Sequence, residues 1–447
     1  MRFIVLRFPQ TLAVIICSSL SLFSHAQNHT QVLNLDPQSV EAQSWVIFDP
    51  QSQQIIASHN ENLQRAPASL TKMMVGYLAL KAIEQGKLSL EQMVTVPEVV
   101  RTVKGDESRL KLHPNAQITV QELISGLIIM SANDAALTLG TLISGDIPQF
   151  LNLMNTTAQQ LGMQHTHFSN PSGITMQEHY ASALDLALLS QAIIQDTPEY
   201  LNYSKQQEFR YKDIHHRATN ILLKKDDSVD GLKTGYTDAA GYNLALTANR
   251  LDPNTNEYRR LIVIVMGTAS KQKRADVAYT LLNIGYQYSQ TKHLFSRDQK
   301  IADIPIIAGK KLMYQVNLPQ SQSYHTLSLL KNNDVLDVKK FDTLQQRFIL
   351  QQQPMQLLQP LKQPEQLQFT ITLLQPQLHA PLIQPAMPLA KIDIQQFKQS
   401  LHKIEVQQDI ALVEASLWHR FMAWLRHLVQ LIQGHTLKAV IYPIHQS

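Results

Sequence analysis

Pro67-Ala68-Ser69-Leu70-Thr71-Lys72-Met73-Met74 sets a hydroxyl and an amine three residues apart at the mouth of an apolar helix. Positions i and i+3 share a helix face, so the Lys72 amine can fold back toward the Ser69 oxygen. Serine is a weak nucleophile at neutral pH unless a neighbour takes its proton. Lysine can do that only when burial or nearby cations lower its pKa. Leu70, Met73, Met74, Tyr77 and Leu80 follow at helical spacing and supply apolar surroundings for the lysine stem. Pro67 and Gly86 mark the expected helix ends. The helix N-terminus also points partial positive charge at any oxyanion formed on an acylated Ser69.

The spacing alone identifies nothing, because Ser-x-x-Lys recurs at Ser108, Ser270, Ser289, Ser328 and Ser400. The Ser69 copy is set apart by its helix and by two later elements, Ser131-Ala132-Asn133 and Lys233-Thr234-Gly235. Thr119 and Glu122 match a capping box for a very apolar helix over 123–130. That helix breaks at 131–133 before a helical pattern resumes over 134–143. The Ser-x-Asn at the break is either a buried polar cap or a pair of side chains projected into a cleft. Helical patterns continue over 148–161, with Gly162 as C-cap, and over 182–194, with a turn at Asn170-Pro171-Ser172-Gly173 between them.

Short β-like runs bracket these helices. Residues 44–49 and 54–57 read as a hairpin across Pro50-Gln51-Ser52-Gln53, and 231–237, 243–248 and 260–267 read as three further strands. Together they predict a mostly antiparallel sheet of about five strands, with the two ends of the chain meeting after a helical insertion. A helix over 275–288 closes an α+β domain spanning 35–293. Short alternating runs over 312–318, 326–330 and 367–374, rich in Gln and Pro, predict a small all-β domain over 297–410.

At 447 residues the chain is too long for one ordinary core. Charged residues make up 17%, against roughly 25% in an average globular protein. The formal net charge of +4 comes without dense Lys/Arg clusters, which sets a nucleic-acid partner aside. Arg2 and Arg7, the apolar run 12–23 and Ser24-His25-Ala26 read as an export signal, 1–26, cleaved after Ala26 or retained as an anchor. Cys17 is the only cysteine and lies within it, so the mature chain has no disulfide or thiolate metal site. His165-x-His167 and His215-His216 lack a third ligand at useful spacing, so no metal or other cofactor is expected.

The second strong signal is at the other end. Leu417, Trp418, Phe421, Leu425, Leu428 and Ile432 lie opposite Arg420, Arg426 and other polar residues, which predicts an in-plane amphipathic membrane helix over 413–433. A helix docked on its own domain is the alternative. The tail 434–447 suggests no role.

Taken together, Ser69-x-x-Lys72, Ser131-x-Asn133 and Lys233-Thr234-Gly235 resemble the three signatures of the penicillin-binding protein and serine β-lactamase superfamily, in the same order. The fuller resemblance is to D-alanyl-D-alanine carboxypeptidases of the low-molecular-mass penicillin-binding protein 5 and 6 type. It takes in Ala66-Pro67-Ala68, Asn170-Pro171-Ser172-Gly173 with His179-Tyr180, Asn220-x-Leu222-Leu223, Ala240-Gly241-Tyr242-Asn243-Leu244, Val265-Met266-Gly267 and His379-Ala380-Pro381-Leu382. Ala132 and Tyr236 stand where the family often has Gly and His.

The resemblance implies a β-lactamase/transpeptidase-like fold and a periplasmic enzyme on the outer face of the cytoplasmic membrane, acting on peptidoglycan stem peptides and trapped by β-lactams. Ser69 would carry the acyl group with Lys72 as base, and Ser131 would relay a proton to the leaving D-alanine. Asn133 would bind the peptide amide. Lys233 and Thr234, helped by Arg274, would hold the terminal carboxylate, and the Lys233 charge would keep Lys72 neutral. The backbone amides of Ser69 and Tyr236, beside Gly235, would form the oxyanion hole. A serine β-lactamase, a peptidoglycan endopeptidase and a non-enzymatic wall-binding scaffold are the alternatives. Thr197-Pro198-Glu199-Tyr200-Leu201-Asn202 resembles the deacylating loop of class A β-lactamases, but Thr197 stands at the position of the acid.

Overall fold

The computed structural model describes residues 33–252, 256–295, 299–307, 311, 313–318, 324–329, 338, 367–396, 399–412, 416 and 439–441. The apolar runs of the N-terminal hairpin form β1 (Ser44–Asp49) and β2 (Gln54–His59), paired antiparallel. Successive strand side chains point to opposite faces, and here both faces are covered. Val46 and Phe48 join the core beneath the helices, while Trp45 and Ile47 join a second core on the other side.

The chain then leaves the sheet. A 3-10 turn, Ala68–Thr71, feeds α1 (Lys72–Glu84), and Gly86 follows its end at φ 70°. Two short strands, β3 (Met93–Thr95) and β4 (Gln117–Thr119), pair ahead of α2 (Val120–Ser125), whose first turn carries the expected capping box of Thr119 and Glu122. A π-helical turn, Gly126–Met130, stops at Ser131, which takes the left-handed conformation with φ 68°. Helices restart at once with α3 (Asn133–Ser144), then α4 (Ile147–Gln160), α5 (Ala183–Asp196) and α6 (Tyr200–Ser204). Asp146 caps α4 and Ser182 caps α5 through their side-chain oxygens.

A small hairpin that the sequence reading does not contain, β5 (Glu208–Tyr211) and β6 (Ile214–Arg217), precedes the return to the sheet. The return consists of β7 (Val229–Thr237), β8 (Gly241–Asp252) and β9 (Glu257–Thr268). Among the described residues the main sheet has five strands in the order β2-β1-β9-β8-β7, every pair antiparallel. The expected meeting of the two ends of the domain is the β1–β9 pairing. α7 (Lys271–Tyr288) packs on β9 and β8. It starts at Lys271 rather than 275 because Ser270 caps it, accepting from the Lys273 amide at 3.1 Å. The Ser270 copy of the motif is therefore a helix cap.

Strands continue as β10 (Ser289–Phe295), β11 (Lys300–Ile307), β12 (Met313–Asn317), β13 (Tyr324–Leu329), β14 (Gln368–Leu373), β15 (Leu378–His379), β16 (Leu382–Gln396), β17 (Gln399–Leu412) and β18 (Val440–Ile441). They form short sheets, as the alternation beyond 297 predicts; β14, β16 and β17 make one and β11 and β12 another. β10 runs across residue 293 and pairs with β13, so strand pairing within the C-terminal sheets already begins at Ser289. Buried Arg259 ties β10 to the main sheet, pairing with Asp49 at 3.0 Å and donating to the Ser289 carbonyl, while Thr291 also donates to Asp49. The segment 1–26 and most of 413–433 and 434–447 lie outside the described residues. Among the described residues no helix is long and apolar enough to cross a membrane.

Candidate active site

The 3-10 turn ahead of α1 brings Ser69 and Lys72 together as their spacing requires. Lys72 Nζ lies 3.1 Å from Ser69 Oγ and also donates to the Ser172 carbonyl. A carbonyl only accepts, so one amine proton is committed to Ser172. Once Lys72 has lost a proton, the 3.1 Å contact can reverse and Ser69 can donate to the nitrogen lone pair. Lys72 is 1% exposed. Burial pushes its pKa well below the ordinary lysine value, and the Lys233 charge pushes the same way; Glu107 and Asp134 oppose them.

The turn at 170–173 is built against this pair. Asn170 Oδ1 accepts from the amides of Ser172, Gly173 and Ile174, which aims the Ser172 carbonyl at Lys72. Gly173 has φ 84°, and a Cβ there would fall 2.0 Å from the Ala68 carbonyl oxygen. His179 supports the turn from behind. Its Nδ1 accepts from the Ser169 amide at 3.0 Å and its Nε2 meets Thr71 Oγ1 at 2.9 Å. Thr71 in turn donates to the Ala68 carbonyl, so His179 Nε2 is the donor in that contact. Burial holds the His179 pKa down to about 4, keeping the ring neutral.

β7 supplies the opposite wall. A Cβ on Gly235 would lie 2.9 Å from the Ser69 amide nitrogen, so the absent side chain lets the strand edge lie alongside the serine. Asn243 on β8 fixes the approach, donating to the Ala66 and Pro67 carbonyls at 3.1 and 3.2 Å and accepting from the Gly267 amide. Lys233, 4% exposed, donates to the Thr234 carbonyl at 3.0 Å. Burial, then the neighbouring Arg274, lowers its pKa to about 7. Arg274, also 4% exposed, donates to the Thr219 carbonyl at 3.0 Å, and burial lowers its pKa to about 10. The Thr219 and Thr234 hydroxyls are hydrogen-bonded.

The second motif lies where the π turn passes into α3. Left-handed Ser131 has its Oγ buried without a hydrogen-bond partner among the described residues. A π turn and a left-handed residue are backbone features that collect at working sites. Asn133, 7% exposed, donates from Nδ2 to Glu107 at 2.5 Å. Tyr236 is 48% exposed, stacked on Tyr242 with ring centroids 4.2 Å apart, and donates to Asp238 at 2.6 Å. That bond raises its pKa to about 12.

The fold thus joins Ser69 to Lys72 directly, and couples Lys233 electrostatically to both Lys72 and Arg274. Ser131 and Asn133 stand at the start of α3 and contact none of those residues by hydrogen bond among the described residues. Sequence reasoning does not single out Glu107, Asp134, Thr219 or the Ser172 carbonyl. Among the described residues no group of three or more His, Cys, Asp or Glu side chains is arranged to hold a metal.

The profile of the D-alanyl-D-alanine carboxypeptidase family, Peptidase S11, matches residues 30–270. The chain is 35% identical to D-alanyl-D-alanine carboxypeptidase DacA of Haemophilus influenzae over 295 residues, 66% of this chain and 74% of that one. It is 34% identical to DacD of Salmonella typhimurium over 319 residues, 68% of this chain and 79% of that one. Penicillin binding protein 5 of Haemophilus influenzae superposes with a TM-score of 0.70 at 27% identity, covering 85% of this chain and all of that one. The cefotaxime-bound penicillin-binding protein D2 of Listeria monocytogenes superposes at 0.50 with 30% identity, over 55% of this chain and 98% of that one. With Ser69, the buried Lys72 amine and a third motif in the expected order, and with a family profile spanning more than half of its length, the chain belongs to the D-alanyl-D-alanine carboxypeptidase family.

Proposed function

We propose that this chain is a serine-type carboxypeptidase that removes the terminal D-alanine from peptidoglycan stem pentapeptides through an acyl-enzyme on Ser69. Neutral Lys72 takes the Ser69 proton as Oγ attacks the carbonyl of the penultimate D-alanine. Ser131 relays a proton to the departing amine, and water then hydrolyses the ester. Asn133 binds a peptide amide. Lys233, Thr234 and Arg274 hold the substrate carboxylate. The Ser69 and Tyr236 amides, on either side of Gly235, stabilise the oxyanion, a device worth about 2.7–4 kcal/mol per donor. The observation that carries this reading is the buried Lys72 amine 3.1 Å from Ser69 Oγ, with its pKa lowered by burial and by Lys233.

The same serine is the expected site of β-lactam acylation, supported by the cefotaxime-bound relative. A deacylating carboxylate of the class A β-lactamase kind has no counterpart in the expected loop. Thr197 is buried and donates to the Ile193 carbonyl at 3.1 Å as the cap of α5, and Glu199 faces solvent. Incubation of the purified chain with a stem pentapeptide and, separately, with benzylpenicillin tests the reading by mass spectrometry. Release of one D-alanine and a penicilloyl adduct on Ser69 are expected; an adduct elsewhere, or full activity in Ser69→Ala, overturns it.

Export by the signal at 1–26 and attachment to the periplasmic face of the cytoplasmic membrane by the helix at 413–433 complete the proposal. Burying one large apolar side chain contributes about 1.5–3 kcal/mol, so a face with Leu417, Trp418, Phe421 and Leu425 supports peripheral binding, with Arg420 and Arg426 toward anionic lipid. Deletion from Val413 onward should abolish sedimentation with anionic liposomes and leave pentapeptide hydrolysis nearly intact. Undiminished sedimentation after deletion refutes it.

A further inference from the structure

Residues 104–112 run across the second motif as a strap. The Asn133 amide donates to the Ser108 carbonyl at 2.7 Å, and Ser108 Oγ donates to the Met130 carbonyl at 2.6 Å. The Asp134 carboxylate accepts from the Leu110 and Leu112 amides at 2.9 and 3.0 Å. These contacts already hold the strap to the start of α3. Glu107 adds something of a different kind: its Oε2 accepts from Asn133 Nδ2 at 2.5 Å, while its Oε1 accepts from the Lys104 amide at 3.2 Å.

We propose that Glu107 is a positioning residue, fixing the orientation of the Asn133 carboxamide and so setting the amide-binding face of the site. The inference rests on the reading of Asn133 given above. An ionised carboxylate only accepts hydrogen bonds, so the end of the Asn133 amide that meets Glu107 must be the NH2 group. Oδ1 is therefore turned away from the strap and stands ready to accept a peptide N–H. Without Glu107 the two ends of the carboxamide are nearly isosteric and can exchange, so the acceptor is no longer preset.

The carboxylate has a second effect on the neighbouring base. The charged groups that act on Lys72 are Lys233 from β7, Asp134 from α3 and Glu107 from the strap, while His179, from the segment before α5, is neutral and is itself pushed down by Lys72. Burial and Lys233 lower the Lys72 pKa, whereas Glu107 and Asp134 raise it. Glu107 thus counterweights Lys233, and removing its charge makes Lys72 neutral at a lower pH.

Full-length Glu107→Gln and Glu107→Ala, with Asn133→Ala as reference, test this through D-alanine release and benzylpenicillin acylation from pH 5 to 9, with Tm measured alongside. Gln keeps an oxygen facing Nδ2 and removes the charge. The acid limb of acylation should move down by about half to one pH unit while KM rises less than about threefold. Ala removes both, and should show the same limb shift with KM for the pentapeptide raised about tenfold or more. An unmoved acid limb in both variants, with activity falling only in step with Tm, makes Glu107 a loop anchor and overturns the proposal alone. Wild-type kinetics in Asn133→Ala overturns it together with the reading of the site beneath it.

Discussion

Gly173→Ala should disable acylation far more than it destabilises the protein. A Cβ at this position would lie 2.0 Å from the Ala68 carbonyl oxygen and 3.0 Å from the Ser69 amide nitrogen, whereas ordinary contact starts at 3.4 Å. The first contact must open by about 1.4 Å, and both ways of opening it damage the site. If the 170–173 turn retreats, the Ser172 carbonyl leaves Lys72. If Ala68 retreats, it takes Ser69 with it. Displacing a reacting group by about 1 Å costs on the order of 100-fold in rate. The left-handed φ of 84° adds about 1–2 kcal/mol of backbone strain for alanine. Gly86→Ala is the matched control, since its φ is 70° and nothing lies within 4 Å of the new Cβ. Both variants should lose Tm, by about 2–8 °C for strain alone. Only Gly173→Ala should lose acylation by a fluorescent penicillin, followed as the rate of adduct formation. Acylation of Gly173→Ala within about threefold of wild type, or an equal loss in Gly86→Ala, would refute the packing argument.

Lys72→Ala should lose acylation by every substrate, while Lys233→Ala should mainly weaken substrates that carry the terminal carboxylate; equal loss with an ester lacking it would remove the anchoring role. Lys233→Met should raise stability. The native lysine titrates at about 7 when folded, against an ordinary 10.5, so the unfolded chain binds more protons between those values and the penalty of burying the cation fades as pH rises through that window. The variant should gain about 1–4 kcal/mol at pH 6, from thermal denaturation, and lose that advantage toward pH 10; a gain independent of pH would contradict the buried charge.

What could be read in the sequence was local. Ser69 and Lys72 meet because i and i+3 are neighbours on one turn, and the break at Ser131 shows as an interruption of apolar periodicity. The Lys233-Thr234-Gly235 strand was legible for the same reason, although the need for Gly235 is visible only once β7 lies against the Ser69 amide. The Ser172 and Thr219 carbonyls were beyond reach, since any residue type carries a carbonyl. Glu107 belongs to no motif and meets Asn133 across 26 positions of chain. The β5–β6 hairpin escaped because Phe209 and Tyr211 alternate on one strand only, among Arg210, Lys212, His215 and Arg217. α7 begins earlier than its apolar pattern because a polar first turn is held by its Ser270 cap, not by packing.

The three basic side chains of the site share a feature that ties its cost to its use. Lys72, Lys233 and Arg274 are all nearly fully buried, and each hydrogen-bonds a main-chain carbonyl, of Ser172, Thr234 and Thr219 respectively. Carbonyls fix the position of a cation without neutralising it, so the repulsion from Arg274 to Lys233 and from Lys233 to Lys72 survives in the folded state. That repulsion destabilises the empty protein, in the way that a working site commonly trades stability for activity. On the proposed function it also keeps Lys72 ready as a base, and it leaves positive charge at the wall where a substrate carboxylate would dock. A carboxylate arriving beside Lys233 and Arg274 relieves the repulsion between them, so part of the stability lost in the empty site returns as binding energy for substrates that end in a carboxylate. A carboxylate side chain built into that wall would recover the stability in advance, and the preference for a free C-terminus would go with it.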